Sequence, residues 1–207
     1  MTSPAVPHVL RLGIYGGAFD PPHAAHYALA QAAIAHLQLD QLRIFPTGQA
    51  WHRAQQATVA QHRLAMAQLA FADLARAKVD PRETLRPGVT YTIDTVTELH
   101  DEYPQAALFL IMGADQFNAF GAWRRWQDIA QIATLCVAAR ADSASKKALN
   151  STENTALTAC KILSIPMPPM PTSATDIRRR VQEGFGLDHL VKPSVARYIA
   201  QHHLYSH

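Results

Sequence analysis

Residues Gly16-Gly17-Ala18-Phe19-Asp20-Pro21-Pro22-His23-Ala24-Ala25-His26 stand between an apolar run, Val9–Tyr15, and a helical pattern, Ala24–Leu37. Strand, glycine turn and helix start in that order form a corner that few folds can use, and one suited to phosphate. Paired glycines let the backbone approach a ligand because no Cβ intervenes. A helix start adds unpaired N–H groups and a partial positive charge. His23 and His26 lie three apart, so on a helix they share a face. Two imidazoles there suit a polyphosphate whose negative charge grows during reaction. Each part has a plainer reading: a turn, a solvated pair among 11 histidines, a Pro-rich loop before a helix. Their coincidence in eleven consecutive residues favours the chemical one.

The rest of the chain repeats the strand–helix alternation. Strand-like runs are Val9–Tyr15, Gln41–Pro46, Ala107–Met112, Thr134–Ala139 and Lys161–Ile165. Helical patterns cover Ala24–Leu37, Val59–Leu74, Ile93–Tyr103, Ala114–Phe120, Trp126–Gln131, Ala174–Glu183 and Pro193–His202. Thr58 with Gln61 is a capping-box signal for the second helix, and Pro193 suits a first helical position. Apolar strands separated by helices predict an α/β fold: a doubly wound, mostly parallel, Rossmann-like sheet with both faces covered. Ligands of such sheets bind at the carboxyl ends of the strands, where the Gly16–His26 corner falls. No internal repeat or linker divides the chain, so one domain over residues 1–207 is expected. Ala141–Ala156, rich in Ser, Lys, Asn and Thr, reads as a surface loop.

Composition removes several classes. A net charge of +3 with dispersed basic residues suits small anionic substrates and gives no nucleic-acid footprint. Two cysteines, Cys136 and Cys160, predict no disulfide framework and a reducing, cytoplasmic setting. Met1 to His8 has neither a charged n-region nor an apolar h-region, so no signal peptide is expected. The longest apolar run, Ala106 to Ala114, is too short to span a bilayer, so no membrane partner is expected. Oligomeric state is not legible.

The second strong signal is Pro171-Thr172-Ser173-Ala174-Thr175-Asp176-Ile177-Arg178. Ser173 followed by Asp176 is a helix-start pattern and could be a cap alone. Hydroxyls, exposed N–H groups and Arg178 within two turns also make an anion site, with a guanidinium able to fork onto phosphate oxygens.

The first stretch resembles the GGxFDPxHxGH signature of the HxGH nucleotidyltransferases, with matches at Gly16, Gly17, Phe19, Asp20, Pro21, His23 and His26 and Ala25 in place of a glycine. The second resembles their ISSTxIR motif at Ser173, Thr175, Ile177 and Arg178, with Thr172 and Ala174 replacing Ile and Ser. Further stretches resemble the nicotinate mononucleotide adenylyltransferase branch. His52-Arg53 matches a Pro-His-Arg loop with Trp51 where the proline would stand, and Arg86 to Thr92 resembles R-x-G-x-S-Y-T with Thr90 for Ser. Gly113-Ala114-Asp115 followed by Trp123, Arg140 after a strand, and the tail Val195 to Tyr205 complete the likeness from Gly13 to Tyr205.

The resemblance implies transfer of AMP from ATP to nicotinate mononucleotide, giving nicotinic acid adenine dinucleotide and pyrophosphate in NAD biosynthesis. It implies His23, His26 and Arg178 as catalytic residues, with Gly16, Gly17, Ala18, Phe19, Arg140, Ser173 and Thr175 around ATP. His52, Arg53, Thr92, Asp115 and Trp123 would hold nicotinate mononucleotide. Trp123 offers a face for the pyridine ring, and Thr92 with nearby N–H groups could read its carboxylate. G-x-S-x-G and C-x-x-C are absent, so direct in-line attack is the simplest chemistry. Mg2+ would arrive on the triphosphate, with no protein metal site. Rivals are a sibling acting on phosphopantetheine or nicotinamide mononucleotide, and a nucleotide-binding regulator without catalysis. A P-loop kinase lacks its G-x-x-x-x-G-K-[ST], and a tRNA synthetase fragment its lysine-rich second motif.

Overall fold

A computed structural model of the chain describes residues 8–50, 58–139 and 160–206. Six strands lie in one parallel sheet: β1 (Arg11–Gly17), β2 (Gln41–Pro46), β4 (Ala77–Val79), β6 (Ala107–Met112), β7 (Ala133–Ala139) and β8 (Ile162–Pro166). Their order is β4-β2-β1-β6-β7-β8, and each neighbouring pair is parallel. The chain winds outward from β1 to β4, then returns to place β6 on the other side of β1. The switch point therefore lies between β1 and β6, where open α/β sheets bind ligands. Two short strands, β3 (Gln49–Ala50) and β5 (Val89–Thr90), pair separately.

Alternation along the strands builds two cores. Phe109 and Ile111 face one side of β6 while Leu108, Leu110 and Met112 face the other. The first face is covered by α1 (Ala24–His36), α2 (Ala60–Phe71), α7 (Ala174–Gln182) and α8 (Pro193–Gln201). The second lies under α4 (Thr92–Glu102) and α6 (Trp126–Ile132). Burial of apolar side chains on both faces is what makes these strands read as near-continuous hydrophobic runs.

The differences from expectation are local. β1 begins and ends two residues later than its apolar run, so Gly16 and Gly17 belong to the strand and pair with Phe45 and Pro46. The turn proper starts at Ala18. Strands β3, β4 and β5 and helix α3 (Arg82–Leu85) were not expected, because two to four residues carry no periodicity. Helix α5 (Ala114–Asn118) stops short of the expected Phe120, which opens a separate 3-10 turn, Phe120–Ala122. The Thr58–Gln61 capping box does not form: Val59 is the N-cap of α2, and the Thr58 backbone N–H donates instead to the Asp20 carboxylate. The loop Ala141–Ala156, the residues His52 and Arg53 with Trp51, and Arg140 lie outside the described residues. Cys136 is buried and Cys160 half-buried, and both are free thiols.

Candidate active site

The carboxyl end of β1 sets the site. Gly16 is exposed, and a Cβ there would meet nothing, so this backbone is open to a ligand. Gly17 is glycine for a different reason: a Cβ would press on the Phe19 ring at 3.0 Å. Phe19 holds a left-handed backbone, φ 49°, which costs a bulky residue energy unless packing supports it. Its ring is buried and meets Tyr15, Phe71 and His26 edge-on at 5.5, 5.7 and 5.1 Å. The Phe19 side chain is thus core rather than a face for ATP, and only its backbone lies at the turn.

His23 is the N-cap of α1 in an extended conformation, and His26 stands one turn inside the helix. Their rings lie 3.7 Å apart, centroid to centroid. The His23 backbone N–H donates to Nδ1 of His26 at 3.2 Å, which leaves the proton of a neutral His26 on Nε2. Burial pulls the His23 pKa down to about 4. Burial, with the neighbouring His23 second, pulls that of His26 down to about 3. Both rings are neutral at pH 7. The first amide of α1, at Ala24, is taken by the Leu190 carbonyl, so the imidazoles matter more here than that helix N–H.

The second motif arrives at the same turn. Ser173 is the N-cap of α7 and its hydroxyl accepts the Asp176 N–H at 3.1 Å, as the sequence pattern predicts. Arg178 donates Nη1 to the Asp20 carbonyl at 2.8 Å and Nη2 to the Thr175 hydroxyl at 3.2 Å. A bond across 158 residues thereby joins the two phosphate motifs.

Three residues to which the sequence reading gave no site role hold this arrangement. Asp20 is buried, and its carboxylate accepts from the Thr58 N–H at 3.1 Å and the Tyr205 hydroxyl at 2.6 Å. Arg63, also buried, donates to the carbonyls of Ala18, Gly48 and Thr58, each at 2.8 Å. The sequence did hold a signal for it: Arg63, Met66, Ala67 and Ala70 fall at i, i+3, i+4 and i+7, so a cation sits on the apolar stripe of α2. Tyr205 closes the matched tail Val195 to Tyr205, which the sequence reading left without a role.

A cavity of about 370 Å3 opens beside the turn, walled by Ala18, Thr47–Gln49, Thr58–Ala60, Arg63, Thr84, Arg86 and Gly88. Gly48 keeps this wall tight, since a Cβ would collide with the Glu83 carbonyl and the Thr90 hydroxyl. The expected acceptor residues stand elsewhere. Thr92 is the first residue of α4, Asp115 lies exposed in the first turn of α5 (Ala114–Asn118), and Trp123 is half-buried against Phe120 at 5.4 Å. The guanidinium of Arg124 covers the Tyr91 ring at 4.5 Å, which brings the Trp123 and Thr92 segments side by side. None of these three lines the cavity.

Residues 14–180 match the family model described as cytidylyltransferase-like. A protein of Albidiferax ferrireducens named "Probable nicotinate-nucleotide adenylyltransferase" is 51% identical over 195 residues, 94% of this chain and 98% of that one. One of the same name from Bordetella avium is 41% identical over 94% of this chain and 98% of its own length. Among solved structures, Plasmodium falciparum nicotinic acid mononucleotide adenylyltransferase complexed with NaAD shares the fold, with a TM-score of 0.77 at 16% identity over 95% of this chain and 97% of that one. With the fold, the two joined motifs and relatives of this similarity, the chain belongs to the cytidylyltransferase-like family and, within it, to the nicotinate-nucleotide adenylyltransferases.

Proposed function

We propose that the chain transfers AMP from ATP to nicotinate mononucleotide, forming nicotinic acid adenine dinucleotide and releasing pyrophosphate, a step of NAD biosynthesis. The observation that carries this reading is the Arg178–Asp20 bond, which sets a guanidinium beside the turn leading into His23 and His26. A phosphate oxygen of the mononucleotide attacks the α-phosphorus of ATP. The bond from that phosphorus to the bridging oxygen breaks, and its electron pair leaves with pyrophosphate. No protein nucleophile is needed, so the protein positions the reactants and stabilises charge.

His26 donates from Nε2 to the phosphate oxygens, and charge gathering there draws its pKa upward, which strengthens the bond as the transition state forms. His23, its ring against that of His26, is the second such group. Arg178 attends the departing pyrophosphate, with Ser173 and Thr175 ordering its helix start. Exposed Gly16 admits the triphosphate next to Gly17 and Ala18. On the acceptor side, Trp123 stacks on the pyridine ring while Thr92 and Asp115 border it. Arg140, His52 and Arg53 keep the roles the resemblance implies.

Among the described residues, no three His, Cys, Asp or Glu side chains converge to cage a metal ion. Mg2+ would be held chiefly by the phosphates of ATP, where it would neutralise their charge. No described helix is long and apolar enough to cross a membrane. The two free thiols accord with the cytoplasmic setting read from the sequence.

The test is pyrophosphate release from ATP with three acceptors: nicotinate mononucleotide, nicotinamide mononucleotide and phosphopantetheine. Nicotinate mononucleotide gives the highest kcat/KM, by about tenfold or more over the amide, because donors aimed at a carboxylate meet the amide NH2 badly. Preference for phosphopantetheine would replace the acceptor and leave adenylyl transfer standing. No turnover with any acceptor would favour the regulator.

A further inference from the structure

Helix α8 ends in a turn that brings the chain back to the phosphate corner. The His203 N–H bonds the Ala200 carbonyl and the Leu204 N–H bonds the Ile199 carbonyl, a helix-ending pattern in which the residue after the cap is left-handed. Here that residue is His203, φ 49°, not glycine, and Tyr205 itself stands at φ 66°. Two non-glycine residues in this region within three positions persist only where their surroundings hold them. What holds Tyr205 is the site. Its hydroxyl donates to the Asp20 carboxylate at 2.6 Å across 185 residues, and it also bonds the Thr58 side chain. Burial and the Asp20 charge raise its pKa, so the hydroxyl keeps its proton and remains a donor.

Asp20 is gripped from both ends. Its carbonyl takes Arg178, and its carboxylate takes Tyr205 and the Thr58 N–H. Only Pro21 and Pro22 separate it from His23. A shift of Asp20 therefore moves the histidine turn and the Arg178 guanidinium together.

We propose that Tyr205 is a positioning residue for adenylyl transfer: its hydroxyl latches Asp20, so that the docked C-terminal tail aligns His23, His26 and Arg178. The proposal rests on the adenylyl-transfer reading above. Tyr205 touches no reacting atom. Its hydroxyl acts through Asp20, and its loss leaves one oxygen of a buried carboxylate without its donor.

The experiment compares the parent, Tyr205→Phe and Leu204→Ala in the full-length enzyme, with kcat and KM for ATP and for nicotinate mononucleotide, and Tm for each. Leu204 packs on the first core and donates only its backbone to the turn, so its truncation loosens the tail but keeps the latch. Tyr205→Phe lowers kcat about tenfold, with either KM changed by less than about threefold, since misalignment weakens the transition state more than binding. Leu204→Ala lowers Tm at least as much and keeps kcat within about twofold where both proteins are folded. A Tyr205→Phe enzyme with the parent's kcat, or a kcat loss that follows Tm alike in both variants, overturns the latch and leaves the reading intact. A folded parent that adenylates no acceptor overturns the reading and the latch together.

Discussion

Three distant segments converge on the turn Ala18–His23: α2 and its approach through Arg63 and the Thr58 N–H, α7 through Arg178 and the tail through Tyr205. The proposed acceptor residues are held otherwise. Thr92, Asp115 and Trp123 hang from three separate element ends; a guanidinium over a ring links the Thr92 and Trp123 segments, and Trp123 packs on Phe120. The difference follows the chemistry. Charge develops at phosphorus, and stabilising it requires donors that need no reorganisation at that moment. The pyridine ring is only bound, and stacking tolerates small displacements that directed donors do not. Substitutions on the phosphate side should therefore fall on kcat, and those on the acceptor side on KM.

The sharpest way to break this contrast is His26→Ala. Removing one preorganised donor commonly costs about 10²–10³ in rate. The variant should lose that much kcat while KM for ATP moves little, as steady-state kinetics would show. A variant that binds ATP far more weakly but turns over normally would mean the phosphate corner is a binding surface and the contrast is void.

Trp123→Ala tests the other side. Stacking of a ring on an aromatic side chain is worth roughly 1–3 kcal/mol, so KM for either mononucleotide should rise roughly tenfold with kcat and KM for ATP little altered. Equal effects on kcat and acceptor KM would place Trp123 among the aligned groups. An unchanged acceptor KM would return it to the core, where Phe120 already holds it.

The same contrast explains how much of the molecule its sequence disclosed. Strand, glycines, prolines and histidines of the corner are contiguous, and so is the Ser173–Asp176 cap, so short-range rules reach them. The alternation of Leu108 to Met112 between two cores likewise follows from period two. What escaped are ties made by tertiary packing. Asp20 reads as a loop residue before prolines, yet its burial and bonds depend on residues 38, 158 and 185 positions away. Thr58 reads as a cap, but its N–H and side chain are claimed by Asp20 and Tyr205. Strands β3 and β5, two residues each, exist because Gly48 lets the chain pass close to Glu83 and Thr90.

The smallest expected effect on turnover, and the finest probe of the wall beside the phosphate turn, is Glu83→Gln. Glu83 is buried in α3 behind the cavity wall, and its carboxyl accepts the Thr95 hydroxyl at 2.7 Å. Burial pushes its pKa up to about 7, against the help of Thr95 and Arg86. A carboxyl whose folded pKa is raised contributes stability that is complete below the unfolded value, near 4.5, and lost as pH rises through about 7. The histidine pair acts in the opposite sense. With folded values near 4 and 3, its contribution is complete above the unfolded value of 6.5 and is lost as pH falls through the folded ones. The two trends overlap in the parent, so its own Tm profile blurs them. Glutamine keeps a neutral group of the same shape at Thr95 and removes only the Glu83 titration. The Tm of Glu83→Gln relative to the parent should therefore climb between about pH 4.5 and 7 and level off above, by several degrees, since 1 kcal/mol moves Tm by about 2–4 °C in a chain this long. Thermal melts across that range decide it. A difference that stays flat with pH would mean the carboxylate is ionised and solvated throughout, and that water reaches behind the wall of the cavity.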